Sequence, residues 1–185
     1  MSKEKDLLLF IAVLPDDEIR AEVTNFKKYA LERFQSGRAL KSPPHITLIP
    51  PFRWSPGRIK ELKTVLKYYA KSCPPFSLTL HGFNCFEPRV IFVAIEKNEE
   101  LERLQSRLQV LLYSALSIQN NCTHSFNPHM TVAFKDLRKS VFPLAWKYFS
   151  NLKYMRVFEV KQLYLLQHDG RQWQIVDDFK LAANG

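Results

Sequence analysis

Glycine is scarce in this chain, with 5 among 185 residues, and none of them builds the glycine-rich phosphate loop of ATP-binding proteins. No Ser/Gly-rich stretch is present either, which argues against modules joined by a flexible tether. The three cysteines, Cys73, Cys85 and Cys122, are odd in number and share no C-x-x-C spacing. A disulfide framework and a zinc knuckle are both excluded, and the thiols suit a reducing cytosol. Long apolar runs are also missing. Leu7 to Leu14 follows two lysines as a secretion signal would, but Asp16-Asp17-Glu18 comes next and no small-residue cleavage site follows. It reads as a buried first strand. Nothing else approaches the roughly 20 apolar residues that span a bilayer, so no membrane association and a cytoplasmic location are expected. No H-E-x-x-H or similar spacing occurs. His124 and His129 lie near each other without a carboxylate in register, so neither a catalytic metal nor any other cofactor is expected.

What is present is positive charge and apolar mass. Lys and Arg outnumber Asp and Glu by 27 to 18, giving +9 at pH 7, and such a surface speeds encounter with phosphate-bearing partners. With 46% hydrophobic residues the chain can bury a core of its own. Residues 1–185 are expected to form one domain of two lobes, with the protein a monomer.

The pattern along the chain alternates helix and strand. After the first strand, Asp16-Asp17-Glu18 opens a helix with Ile19, Val23, Phe26, Ala30 and Phe34 at helical spacing, stopping near Gly37. A β-rich segment, "HITLIPPF", follows and is ended by Pro50-Pro51. A helix from about Ser55 to Ser72 comes next, with Lys60, Lys63, Lys67 and Lys71 on its solvated face. Residues 76–96 read as two strands joined near Glu87-Pro88. Asn98 caps a helix striped by Leu101, Leu104, Leu108 and Leu111. An Asn-rich loop, the "HMTVAF" strand, a helical patch around Leu144 to Phe149, and two strands meeting at Asp169-Gly170 complete the chain. The class is α+β in two similar halves of helices and antiparallel strands, although nothing outside one motif visibly repeats.

That motif is the informative feature. "PPHITLIPPF" at 43–52 and "NPHMTVAF" at 127–134 each place proline, histidine, an apolar residue and threonine in the same order. Six threonines in 185 positions make two chance H-x-T matches among 5 histidines a roughly 1% event, before the shared context is counted. Side chains alternate along a strand, so His45 and Thr47 share one face while Ile46 and Leu48 anchor the other; His129 and Thr131 are backed by Met130 and Val132. Two such strands side by side would set two imidazoles and two hydroxyls around a pocket. Displacement at a phosphodiester needs a base for the nucleophile, an acid for the leaving oxygen, and donors for the nonbridging oxygens. The four side chains supply all three.

The paired motifs resemble those of the two-histidine phosphoesterases, the superfamily of bacterial 2'-5' RNA ligase-like proteins and cyclic nucleotide phosphodiesterases. "LLLFIAVLPDDEI" is similar to that family's opening strand and helix start, "FEPRVIFVAI" to its central strand, and "FNPHMTVAF" to its second motif. The resemblance implies two lobes facing each other across a cleft that holds both H-x-T pairs. It implies hydrolysis of a 2',3'-cyclic phosphate, on RNA or a nucleotide, to a 2'-phosphate without an essential metal. It makes His45 and His129 the acid/base pair, with His129 as base and His45 as acid, and Thr47 and Thr131 the phosphate-binding hydroxyls. Pro44 before His45 and Pro50-Pro51 after the strand differ from the flank usual in RNA-ligating relatives, which counts against 2'-5' ligation. The other alternative is an RNA- or nucleotide-binding module with little turnover.

Around the site, strand phase puts Lys135 on the face of His129, within reach of a substrate phosphate. Phe52 and Phe134 could stack a base at the rim, and Arg53 and Trp54 sit in the expected loop beyond the first motif. His81, His124 and His168 fit no pattern.

Overall fold

The computed structural model describes residues 5–119 and 125–182. Its strands are β1 (Leu7–Val13), β2 (Ile46–Trp54), β3 (Phe76–Phe86), β4 (Val90–Ile95), β5 (His129–Ala133), β6 (Met155–Val160), β7 (Gln162–His168) and β8 (Trp173–Lys180). Its helices are α1 (Asp17–Phe34), α2 (Ile59–Lys71), α3 (Glu99–Leu116) and α4 (Phe142–Ser150), with 3-10 turns at Arg38–Lys41 and Pro56–Arg58. Asp16 caps α1 by accepting from the Ile19 amide, and Asn98 caps α3 through the Leu101 amide. Both helices carry acidic residues in their first turn, where the helix dipole favours them.

The strands form two antiparallel sheets, ordered β2-β1-β7-β8 and β5-β4-β3-β6. The two orders are the same under exchange of β2 with β5, β1 with β4, β7 with β3 and β8 with β6. Each motif strand therefore lies at an edge, reached from its inner neighbour through an 18-residue helix, α1 or α3. The two free edges approach each other, and the helices cross over: α1 packs against β5 and α3 against β2, while α2 covers β7 and β8 and α4 covers β3. One apolar core runs through both sheets, from Leu9 and Ile46 to Val93 and Met130.

The likeness of the halves extends to the backbone of the motifs. The β1/β2 register slips between Ala12↔Thr47 and Ile11↔Ile49, and the β4/β5 register slips between Phe92↔Thr131 and Ile91↔Ala133. In both strands the extra residue is the one after threonine, Leu48 or Val132. A bulge at that point breaks the alternation, so Leu48 and Ile49 are both buried, as are Val132 and Ala133.

Two expectations are corrected. Pro50-Pro51 does not end the first motif strand, because β2 continues to Trp54. An edge strand tolerates prolines, since the side lacking a partner needs no donor, and a second slip between Leu9↔Phe52 and Ile11↔Ile49 accommodates them. The two strands expected to meet at Asp169-Gly170 are preceded by a third, β6, which belongs to the other sheet and is separated from β7 by Lys161 alone. The exposed Met155 and Val157 on β6 hid that strand from a burial pattern.

Candidate functional site

Each histidine follows a proline, and the structure gives the reason. The residue before a proline is held in extended backbone, which brings the carbonyl two residues upstream of the histidine back onto its ring. His45 Nδ1–H donates to the Pro43 carbonyl at 2.7 Å, and His129 Nδ1–H donates to the Asn127 carbonyl at 2.8 Å. A carbonyl only accepts, so both neutral rings carry the proton on Nδ1 and keep Nε2 as the open nitrogen. Aromatic rings hold their planes. Phe10 of β1 lies 4.8 Å from His45, centroid to centroid, and Phe86 and Phe92 lie 5.1 and 5.2 Å from His129.

A cleft of about 800 Å³ opens between the two motif strands, with Thr47 on one wall and His129 on another. Phe86, Phe126, Pro50 and Pro51 make it largely apolar, and Gln105 and Gln109 of α3 add amides. Gln105 donates to the Leu48 carbonyl, tying α3 to the first motif strand just past its threonine. His45 and Thr131 stand beside these groups, half-buried, each flanking its partner in H-x-T register. The imidazoles are close enough to interact: His129 opposes the charging of His45.

Burial dominates the electrostatics of both rings. Desolvation, with a smaller contribution from the cation of Lys27, pushes His45 down to about 4. Desolvation also lowers His129, against the Asn127 carbonyl that favours its charged form. Without a substrate, both rings are therefore held toward the neutral state.

Of the residues expected around the four motif side chains, Lys135, Phe134, Phe52, Arg53 and Trp54, none lines the cleft. β5 ends at Ala133, so strand phase does not reach Lys135, which turns to a φ of 58° and lays its ammonium over Phe134 at 5.2 Å. Phe52 packs against the main core. Arg53 is exposed within β2 rather than in a loop. Trp54 is buried, donating to the Arg58 carbonyl at 3.0 Å beneath the Arg58 guanidinium. The α2 lysines lie away from the site, since α2 buries Leu62 and Leu66 in the main core, on the other face of β1 and β2 from His45. Lys63 among them pairs with Asp177 at 3.0 Å. His81 is exposed on Glu96, His168 accepts from the Gly170 amide in the β7–β8 turn, and His124 falls outside the described residues. Among the described residues no three His, Cys, Asp or Glu side chains converge as metal ligands, and no helix is long and apolar enough to cross a membrane.

Sequence reasoning missed the aromatic supports. Phe10 and Phe92 sit in apolar runs where they look like core, and only the register reveals that they face the histidines. It also missed Lys27. The buried stripe of α1 is Ile19, Val23, Lys27, Ala30 and Phe34, so a lysine occupies a position that spacing reserves for an apolar residue. That misplaced charge was the available signal.

Comparison with known proteins gives the family and the fold. Residues 15–172 match the family model described as the 2'-5' RNA ligase superfamily. A Bacillus pumilus protein named provisionally as a phosphoesterase is 31% identical over 127 residues, 68% of each chain. Another so named, from Geobacillus thermodenitrificans, is 29% identical over 94% of this chain and 95% of its own. Among solved structures, E. coli LigT complexed with 3'-AMP superposes with a TM-score of 0.72 at 19% identity, covering 96% of this chain and 99% of LigT. A Thermus thermophilus protein gives 0.71 at 18% identity, covering 96% of this chain and all of its own. With H-x-T strands paired across one cleft and a family match over most of its length, the chain belongs to the 2'-5' RNA ligase superfamily, the two-histidine phosphoesterases.

Proposed function

We propose that this phosphoesterase hydrolyses a 2',3'-cyclic phosphate, at an RNA end or on a nucleotide, to a 2'-phosphate, with His45 and His129 transferring the protons. The observation that carries the reading is the repeated geometry: two imidazoles with Nδ1 tied back and Nε2 open, each two residues from a threonine hydroxyl, on edge strands that meet at the cleft. LigT, the fold neighbour, has been solved with 3'-AMP, with phosphate and with ATP, which supports a nucleotide ligand.

In the step itself, one imidazole takes a proton from water as its oxygen bonds to phosphorus. The P–O3' bond breaks, and the other imidazole protonates O3'. Thr47 and Thr131 donate to the nonbridging oxygens as charge grows there. Base and acid both come from the chain, so this step calls for no metal. The diester's negative charge raises both imidazole pKa values and lets one ring take up the required proton. The resemblance makes His129 the base and His45 the acid. One observation favours the reverse order: His45, more deeply desolvated and facing the Lys27 cation, is the harder ring to protonate.

The test is hydrolysis of the four nucleoside 2',3'-cyclic monophosphates in EDTA by wild type, His45→Ala and His129→Ala, with the product read by phosphorus NMR. A 2'-phosphate from wild type and a loss of roughly 10²-fold or more in each variant are expected. Nucleotide binding without turnover would replace the enzyme with a binding module. A diester with a nitrophenolate leaving group decides the order, because that leaving group needs no acid and rescues only the acid-deficient variant.

A further inference from the structure

Lys27 is 2% exposed, and its ammonium makes one hydrogen bond, to the Ser42 carbonyl at 3.0 Å. No carboxylate pairs with it among the described residues. An apolar side chain of the same length would fill the space without the cost of burying a charge. The ammonium lies at a recess of about 220 Å³, separate from the cleft described above. Thr24, Lys41, Ser42, Gln172, Trp173 and Gln174 contribute to its wall, which includes no acidic residue. The nearby carboxylate of Asp169 is occupied within its own turn by the amides of Arg171 and Gln172.

The recess adjoins the catalytic ring on two sides. Pro43, whose carbonyl holds His45, also lines it. Trp173 stands edge-on to Phe10 at 4.6 Å, and Phe10 in turn packs on His45. A buried cation without a counter-charge, hydroxyl and amide groups, and an indole beside a path to the reacting histidine make a fitting seat for an anion on the substrate.

We infer that the recess at Lys27 binds a second phosphate of the substrate, the one 5' of the nucleotide whose cyclic phosphate lies between His45 and His129. The substrate class is then a phosphorylated nucleotide or RNA end rather than a bare nucleoside cyclic phosphate. Lys27 supplies the charge, Lys41 a second cation at the rim, and Trp173 a surface for the adjoining sugar or base. Burial holds the ammonium near 7, a state that a bound phosphate would draw back toward full charge.

This inference rests on the phosphodiesterase reading, and two measurements separate them. The first is an NMR titration with inorganic phosphate, following the indole N–H of Trp173, assigned with Trp173→Phe among the 3 tryptophans. A saturable shift is expected in wild type and in His129→Ala, lost in Lys27→Met and weakened in Lys41→Ala. The second compares adenosine 2',3'-cyclic phosphate with and without a 5'-phosphate. Wild type should favour the phosphorylated substrate by roughly tenfold or more in kcat/KM, and Lys27→Met should abolish that preference, mainly through KM. Equal turnover of the two substrates with no Trp173 shift overturns the site and leaves the diesterase. No turnover with the Trp173 shift intact overturns the diesterase and keeps the anion site. A shift or preference unchanged in a folded Lys27→Met protein reduces Lys27 to a tether for the loop before His45.

Discussion

His45 and His129 are held by the same backbone device and bounded by the same bulge, yet they live in different surroundings. His45 lies against Phe10 on a closed aromatic face, with a buried lysine behind its loop. His129 lies between Phe86 and Phe92 and lines the open cleft. A symmetric pair of imidazoles cannot by itself divide the labour of acid and base. The surroundings break the symmetry through desolvation and one uncompensated cation, so the fold supplies two equal rings and the neighbours make them unequal.

The largest effect that could break this comparison comes from the rings themselves. His45→Ala and His129→Ala should each lower kcat by roughly 10²- to 10⁴-fold, and wild-type activity in either would end the paired mechanism. Next come the hydroxyls. Thr47→Val and Thr131→Val keep the shape and remove the donor, and each should cost about tenfold in kcat, read in single-turnover assays.

The asymmetry is sharpened by pH. His45 has a folded pKa of about 4, below its unfolded value of 6.5, so the unfolded chain binds more protons between those values. Its stabilising contribution is complete above pH 6.5 and is lost as pH falls toward 4. Urea midpoints of wild type should decline across that window, and His45→Asn should flatten the decline more than His129→Asn. Lys27, at about 7 in the fold against 10.5 unfolded, has the same sign at higher pH. Lys27→Met should therefore melt several degrees above wild type at neutral pH, and a lower melting point would show that the ammonium stabilises the fold.

A smaller effect concerns the link between the halves. The Asp136 carboxylate accepts from the Ser36 hydroxyl at 2.9 Å and from the Gly37 and Arg38 amides at 2.9 and 2.8 Å. It fastens the segment after the second motif to the approach to the first. Asp136→Ala should cost about 1–3 kcal/mol in urea unfolding while leaving the kinetic difference between the two histidine variants intact. Arg53→Ala, on an exposed strand position, should change kcat/KM less than twofold.

Much of this was legible in the sequence because one signal was written twice. The H-x-T repeats singled out the two strands that meet at the cleft, and the caps at Asp16 and Asn98 marked two helices. The site's periphery was not legible, for reasons of geometry. Lys135 was placed by extending a strand phase that a left-handed residue ends, Phe52 by taking it for the end of a strand that runs on to Trp54, and Arg53 by a loop position that is part of that edge strand. Phe10 and Phe92 reach the histidines, and Trp173 reaches Phe10, across strand pairings whose register no local pattern encodes. Lys161, a single residue joining strands of different sheets, carries no turn signal at all.

That strand order also governs the sequence of events on the ribosome. By Val160 every strand of the β5-β4-β3-β6 sheet has been synthesised, together with α1 and α4 that cover it. At that moment β1 has only β2 beside it, and its second neighbour arrives with residues 162–168. The half containing the first histidine, though earliest in the chain, is the last to close, so a growing chain holds a finished scaffold for His129 before it has one for His45.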